Sequence, residues 1–131
     1  MIDCENEVYT RVAEALRSDF PEINVSGEYA NVPSAFPHVS FVQSDNKSVK
    51  WSTGIDREMA EVMFEVNVYS NKKTGRKTEC KQIIKKIDDV MFSMNFRRLS
   101  LTVVPNLENA TIYRLVARFS AWTDGKFFYR S

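Results

Sequence analysis

Hydrophobic and polar positions follow two periods along this chain, and the switch between them marks its central elements. From Glu61 to Tyr69 the period is two. Phe64, Val66 and Val68 share one face, and Met63, Glu65, Asn67 and Tyr69 share the other, which predicts a long strand. After a polar turn, Ser70 to Gly75, the period becomes helical. Cys80, Ile83, Ile84, Ile87, Val90, Met91 and Met94 recur at i, i+3, i+4 and i+7. At 100° per residue they fill an arc of roughly 120°, one core-facing stripe. Lys77, Lys81, Gln82, Lys85, Asp88 and Asp89 take the rest of that helix. Thr74 is placed to cap its start, and Asn95 to end it in a left-handed conformation.

The flanking pattern supplies the other elements. Val8, Val12, Ala15 and Leu16 make the stripe of a first helix, Asp3 to Phe20, capped by Asp3 and stopped by Pro21. Ile23 to Gly27 reads as a short strand, and Ala30 to Pro37 as a loop. His38 to Val42 alternates again. Ser44-Asp45-Asn46-Lys47 reads as a turn, with Val49, Trp51 and Thr53 alternating beyond it and a break at Gly54 to Arg57. Val39 to Tyr69 is therefore expected to form long, partly projecting antiparallel strands. Leu99, Leu101 and Val103 alternate in a strand ending at Pro105, and Asn106 to Asn109 turns. Thr111 to Trp122 is the last long strand, with Tyr113, Leu115, Ala117, Phe119 and Ala121 on one face. Two helices and a mixed or antiparallel sheet make an α+β two-layer sandwich. At 131 residues the whole chain, 1–131, is expected to be one domain.

Composition adds little to this, but charge adds something. No apolar run approaches the ~18 residues of a membrane span, and the acidic start Met1-Ile2-Asp3-Cys4-Glu5 is unlike a signal peptide. The expectation is a chain that stays in the cytoplasm where it is made. Cys4 and Cys80 are then expected to be reduced and inert. Net charge is +1, but residues 1–70 hold 12 acids and 5 bases, whereas residues 71–131 hold 5 acids and 13 bases. Such asymmetry suits a nucleic-acid surface, a head-to-tail contact between copies, or two solvated faces that mix on folding.

No constellation for catalysis stands out. His38 is the one histidine; nothing places a nucleophile beside it, and a structural role is expected. One histidine and two distant cysteines fall short of the four ligands of a structural zinc site. Lys73 to Thr78 lacks the glycine spacing of a phosphate loop. Asp88 and Asp89, adjacent on a helix, point about 100° apart and make a poor acid–base pair. No cofactor is expected.

The basic run is the strongest candidate. Lys72, Lys73, Arg76, Lys77, Lys81, Lys85 and Lys86 face the single acid Glu79. Lys73, Lys77, Lys81 and Lys85 follow at i, i+4 in a slowly drifting stripe. Three readings stay open: a solvated helix face, a contact with a subunit or partner, and direct binding to nucleic acid. The last is disfavoured because no aromatic residues interleave with the lysines. The tail, Asp124 to Ser131, ends in Phe127, Phe128 and Tyr129, packed either on the parent domain or on a neighbour.

On three stretches the chain resembles a known family. Ala60 to Cys80, AEVMFEVNVYSNKKTGRKTEC, is similar to the signature of small proteins from tail and neck cassettes of phages infecting Gram-positive bacteria, called tail completion, tail terminator or minor capsid proteins. Phe36 to Val42 and Pro105 to Arg114 agree with it. The resemblance implies two helices packed on one face of a mostly antiparallel sheet with a long β-hairpin. It implies a homo-oligomer, a hexameric ring that caps the tail tube, ends its polymerisation and meets the head–tail connector. In headless tail-like particles an equivalent ring is the collar, next to sheath proteins.

The protein would then be a virion component of the tail or neck, assembled in the bacterial cytoplasm, with no enzymatic activity, no membrane partner, and DNA met only in transit through the lumen. A head-side neck or adaptor protein of the same cassette is the alternative. A small nucleic-acid-binding module using helix residues 72–86 is a third reading. The candidate subunit or partner interface comprises Trp51 and Arg57 on the hairpin, Lys72, Lys73, Arg76, Lys77, Lys81 and Lys85 around the helix start, and Phe127, Phe128 and Tyr129 in the tail.

Overall fold

The computed structural model describes residues 1–29, 33–50, 58–105 and 109–130. Helix α1 spans Glu5–Asp19 and α2 spans Arg76–Ser93. The strands are β1 (Asn24–Ser26), β2 (His38–Lys50), β3 (Glu58–Ser70), β4 (Arg97–Val103), β5 (Tyr113–Thr123) and β6 (Phe128–Tyr129). They form one sheet in the order β1-β2-β3-β5-β4, with β6 added to β5. The β1–β2 pair is parallel and all the others antiparallel. This is the expected α+β sandwich with a long β2–β3 hairpin.

The alternation in β3 and β5 decides the layers. Phe64, Val66 and Val68 of β3 lie beside Phe119, Ala117 and Leu115 of β5, all buried. Both helices cover this face: Val8, Val12 and Leu16 of α1 and Cys80, Ile83, Ile87 and Met91 of α2 share one apolar cluster with it. Phe64 stands near its centre, stacked on Phe41 at 5.0 Å and edge-on to Phe96 at 5.7 Å. Burying such side chains is worth about 1.5–3 kcal/mol each, which fixes the helices to this face.

Ser44 to Lys47 does not turn. β2 runs on through it, and its register against β3 shifts between Gln43 and Asp45. One extra residue is absorbed as a β-bulge, and the face assignment changes phase. Before the bulge Val39 and Phe41 face the helices; after it Asn46 does, and its Nδ2 donates to the Ile2 carbonyl at 2.8 Å. The polar residues that imitate a turn are the bulge. The described hairpin arms are also backed by neighbours more than expected, because β5 pairs with β3 as far as Ala60. The proposed break at Gly54 to Arg57 lies outside the described residues, as does most of the turn from Asn106.

The ends of α2 follow from backbone geometry. Gly75, with φ +83°, takes the N-cap position expected of Thr74, and no side chain caps it. That φ is open to glycine at little cost and strains a residue with a Cβ. At the other end Asn95 adopts φ 66° as expected. Its N–H donates to the Phe92 carbonyl at 3.0 Å, and the Phe96 N–H to the Met91 carbonyl at 2.9 Å. This pair of bonds is a Schellman motif, and Phe96 enters the core directly after it.

Candidate interaction surface

Over β2, β3 and β5 the two faces of the sheet are both finished. Opposite the helices, Asn67 and Tyr69 are buried by a polar layer that periodicity did not predict. Arg114 Nε donates to Asn67 Oδ1 at 2.9 Å, and its guanidinium lies over the Tyr69 ring at 5.7 Å. Arg118 pairs with Glu65 at 2.8 Å, and Trp122 Nε1 donates to Glu61 Oε2 at 2.9 Å. The segment after β1 closes over the buried Ser40, whose Oγ donates to the Glu28 carbonyl at 2.6 Å. These bonds satisfy groups that would otherwise be costly to bury.

The β4 edge is not finished. Every residue of β4 except Ser100 is exposed, including Leu99, Leu101 (43 %) and Val103 (53 %). Leu101 and Val103 alternate with Ser100 and Thr102 as expected, but the register against β5 shifts between Arg98 and Ser100, so Arg98 shares the helix side with Leu101 and Val103; α2 lies mainly over β3 and β5 and reaches β4 near its start, where Arg98 pairs with Asp88 at 3.4 Å. Leu101 and Val103 therefore stand in solvent on the helix side of the sheet. No backbone hydrogen bond joins the outer edge of β4 to another described segment.

The basic candidates divide. Lys72 pairs with Glu79 at 3.0 Å, and Glu79 also accepts from Ser70 Oγ at 2.7 Å. Arg76 donates to the Lys72 carbonyl. Those two brace the α2 start. Lys86 is held by Asp19 of α1 at 3.0 Å. Lys73, Lys77, Lys81 and Lys85 are exposed and form no ion pair with a described residue. Helical spacing sets Lys77 and Lys81 within about 20° of Asp88, on the flank that meets β4.

The tail is packed on its own domain. Phe128 reaches the core and sits 5.1 Å from Phe96, while the Phe128 carbonyl accepts from Asn95 Nδ2 at 3.0 Å. Tyr129 donates from its hydroxyl to Asp124 Oδ2. Arg130 stacks 3.9 Å over Phe92 and donates to the Phe92 carbonyl. Phe127 is left outward, 64 % exposed. Trp51 and Arg57 lie outside the described residues.

Burial sets the state of the groups weighed for chemistry. Both cysteines are free and buried; burial pushes Cys4 up to about 11 and Cys80 to about 12, so neither offers a thiolate near neutrality. Burial lowers His38 below 6.5; its Nε2 lies 3.5 Å from Ser26 Oγ and its ring 6.0 Å from Tyr69. Among the described residues no group of three metal-ligating side chains converges, and no helix is long and apolar enough to cross a membrane.

No protein-family model matches the chain, and no curated protein matches it in sequence.

Proposed function

We propose that this protein is a structural subunit that assembles into a ring, caps the tube of a phage tail or tail-like particle, and ends its polymerisation. The ring also offers the surface on which the head connector, or a collar, is seated. The observation that carries this reading is the contrast between two finished sheet faces and an unfinished edge. Over β2, β3 and β5 both faces of the sheet are covered or hydrogen-bonded, while β4 leaves aliphatic side chains and backbone edge groups to solvent. Exposed apolar edges of this kind promote association unless a partner covers them. The resemblance of Ala60 to Cys80 to tail-completion proteins supplies the identity of the assembly.

The mechanism is steric. A ring seated on the last tube layer covers the growing edge, so no further tube subunit adds. The lysine stripe belongs to a protein contact, and DNA meets the ring only as it passes through the lumen.

The test is the particle mass of the purified chain, by light scattering at rising concentration, with negative-stain images. Closed rings of a single size are expected. A strict monomer that shifts duplex DNA at physiological salt would overturn the reading in favour of a nucleic-acid module.

A further inference from the structure

On the open edge of the sheet, backbone and side chains point to the same kind of partner. The Val104 N–H donates to the Arg114 carbonyl at 3.0 Å. Bonded and non-bonded pairs alternate along an antiparallel ladder, and Val103 lies opposite Leu115 and Leu101 opposite Ala117. Val103 and Leu101 therefore fall in the non-bonded pairs. Their N–H and C=O groups point away from β5, into the open edge, and their side chains stand exposed on the helix side.

β6 extends the same margin. Phe128 lies opposite Thr123 and Tyr129 opposite Trp122, while β4 begins with Arg97 opposite Ser120. Because β3 holds the other edge of β5 as far as Thr123, β6 and β4 lie in line on one side of it. The tail thus delivers Arg130 to the start of β4. There Asp88, Phe92, Phe96, Arg97, Arg98 and Arg130 line a cleft of about 230 Å³, three guanidinium side chains with one carboxylate. Asp88 meets Arg98 at 3.4 Å, and Arg130 is set by stacking on Phe92 and donating to its carbonyl, which leaves its charge uncompensated. Along the helix side the margin reads Arg130, Arg98, Leu101, Val103.

Outward backbone groups call for another strand, the aliphatic side chains for aliphatic partners, and the arginines for carboxylates. A polynucleotide offers anions but neither of the other two. The β1 edge of a second copy does not fit, since the Val25 carbonyl already accepts from the Tyr9 hydroxyl at 3.2 Å. We infer that β4 receives an extended segment of another protein as an added antiparallel strand, aliphatic opposite Val103 and Leu101 and acidic at the next alternate positions, near Arg98 and Arg130. This rests on the assembly reading above and names what its open edge takes up. An antiparallel strand passes Val103 first, so from its N-terminus the segment has the form aliphatic-x-aliphatic-x-acid-x-acid. A parallel strand would need the acids first.

The probe is a capped nine-residue peptide with valine at its second and fourth positions, glutamate at its sixth and eighth, and threonine elsewhere. It is titrated into isotope-labelled full-length protein and followed by NMR. The largest amide shifts are expected at Leu101 and Val103. Methylating the two valine nitrogens removes the N–H groups that face β4 and should weaken binding about tenfold or more, whereas methylating the threonine between them, whose N–H faces outward, should not. The variant R98E/R130E, with circular dichroism to confirm folding, should bind about tenfold more weakly and recover with a peptide carrying lysine for both glutamates. The methylated peptides use the wild-type protein, so that arm stands even if the variant fails to fold. Equal binding of both methylated peptides, or tighter binding of the reversed sequence, would overturn the antiparallel strand. The absence of saturable shifts on β4 would overturn the inference, and rings of a single size in the same sample would leave the ring reading intact. Binding by a chain that stays monomeric at every concentration would support the inference and overturn the ring reading alone. A peptide expelled from β4 as the protein self-assembles would overturn the outside partner in favour of a second copy.

Discussion

β3 and β4 belong to one sheet and alternate equally well in sequence, yet they have opposite fates. Phe64, Val66 and Val68 of β3 lie under two helices with no exposure. Leu99, Leu101 and Val103 of β4 are bare. Alternation states which side chains share a face; it does not state whether anything covers that face. Coverage depends on where α2 crosses the sheet, and the α2 stripe is centred on β3 and β5. The difference separates residues that hold the fold from residues left available for assembly.

Substitutions can break that comparison. The largest effect is expected at Phe64→Ala, a cavity at the centre of the aromatic stack, costing about 3–5 kcal/mol. Leu101→Ala, the matching change in β4, should stay within about 0.5 kcal/mol. Urea unfolding of the two variants checks this directly, and equal losses would mean that β4 is covered in the monomer.

The finished outer face gives the next effect. Arg114→Ala strips the donor from buried Asn67 and should cost roughly 1–3 kcal/mol, read in the same urea experiment. A loss near zero would mean that water replaces the guanidinium without penalty. Smaller again is the α2 terminus. Asn95→Ala places an alanine at φ 66° and removes the bond to the tail, for about 1–2 kcal/mol, whereas Asn95→Gly should lose less because glycine accepts that φ.

The smallest effect concerns pH. Burial holds His38 below its ordinary value of 6.5, so the unfolded chain takes up the proton first as pH falls. Its contribution is complete above about 6.5 and is lost as pH falls through the folded value. Thermal unfolding across that range should slope less in His38→Gln than in the wild type.

Much of the fold was legible in the sequence because period and burial agree where an element is covered on one side. The faces of β3, α1, α2 and β5 and the left-handed Asn95 are such cases. The bulge at Gln43/Asp45 reads as a turn in sequence because Ser, Asp and Asn serve both, and only the strand partner distinguishes them. Thr74 reads as the cap because the backbone at Gly75 cannot be seen in side-chain chemistry. The surface was legible in part. Lys77 and Lys81 are marked by spacing and are exposed, whereas the exposure of Leu101 and Val103 follows from where α2 packs on the sheet. Lys72 and Arg76 brace the start of α2 instead, and Phe128 is part of the core.

The central claim is that this protein ends a tail. It is tested most directly by electron micrographs of particles assembled in a host lacking it. Tubes of uncontrolled, excessive length that bear no head or collar are predicted. Tails of normal length that lack only their heads would contradict the claim and identify a head-side adaptor.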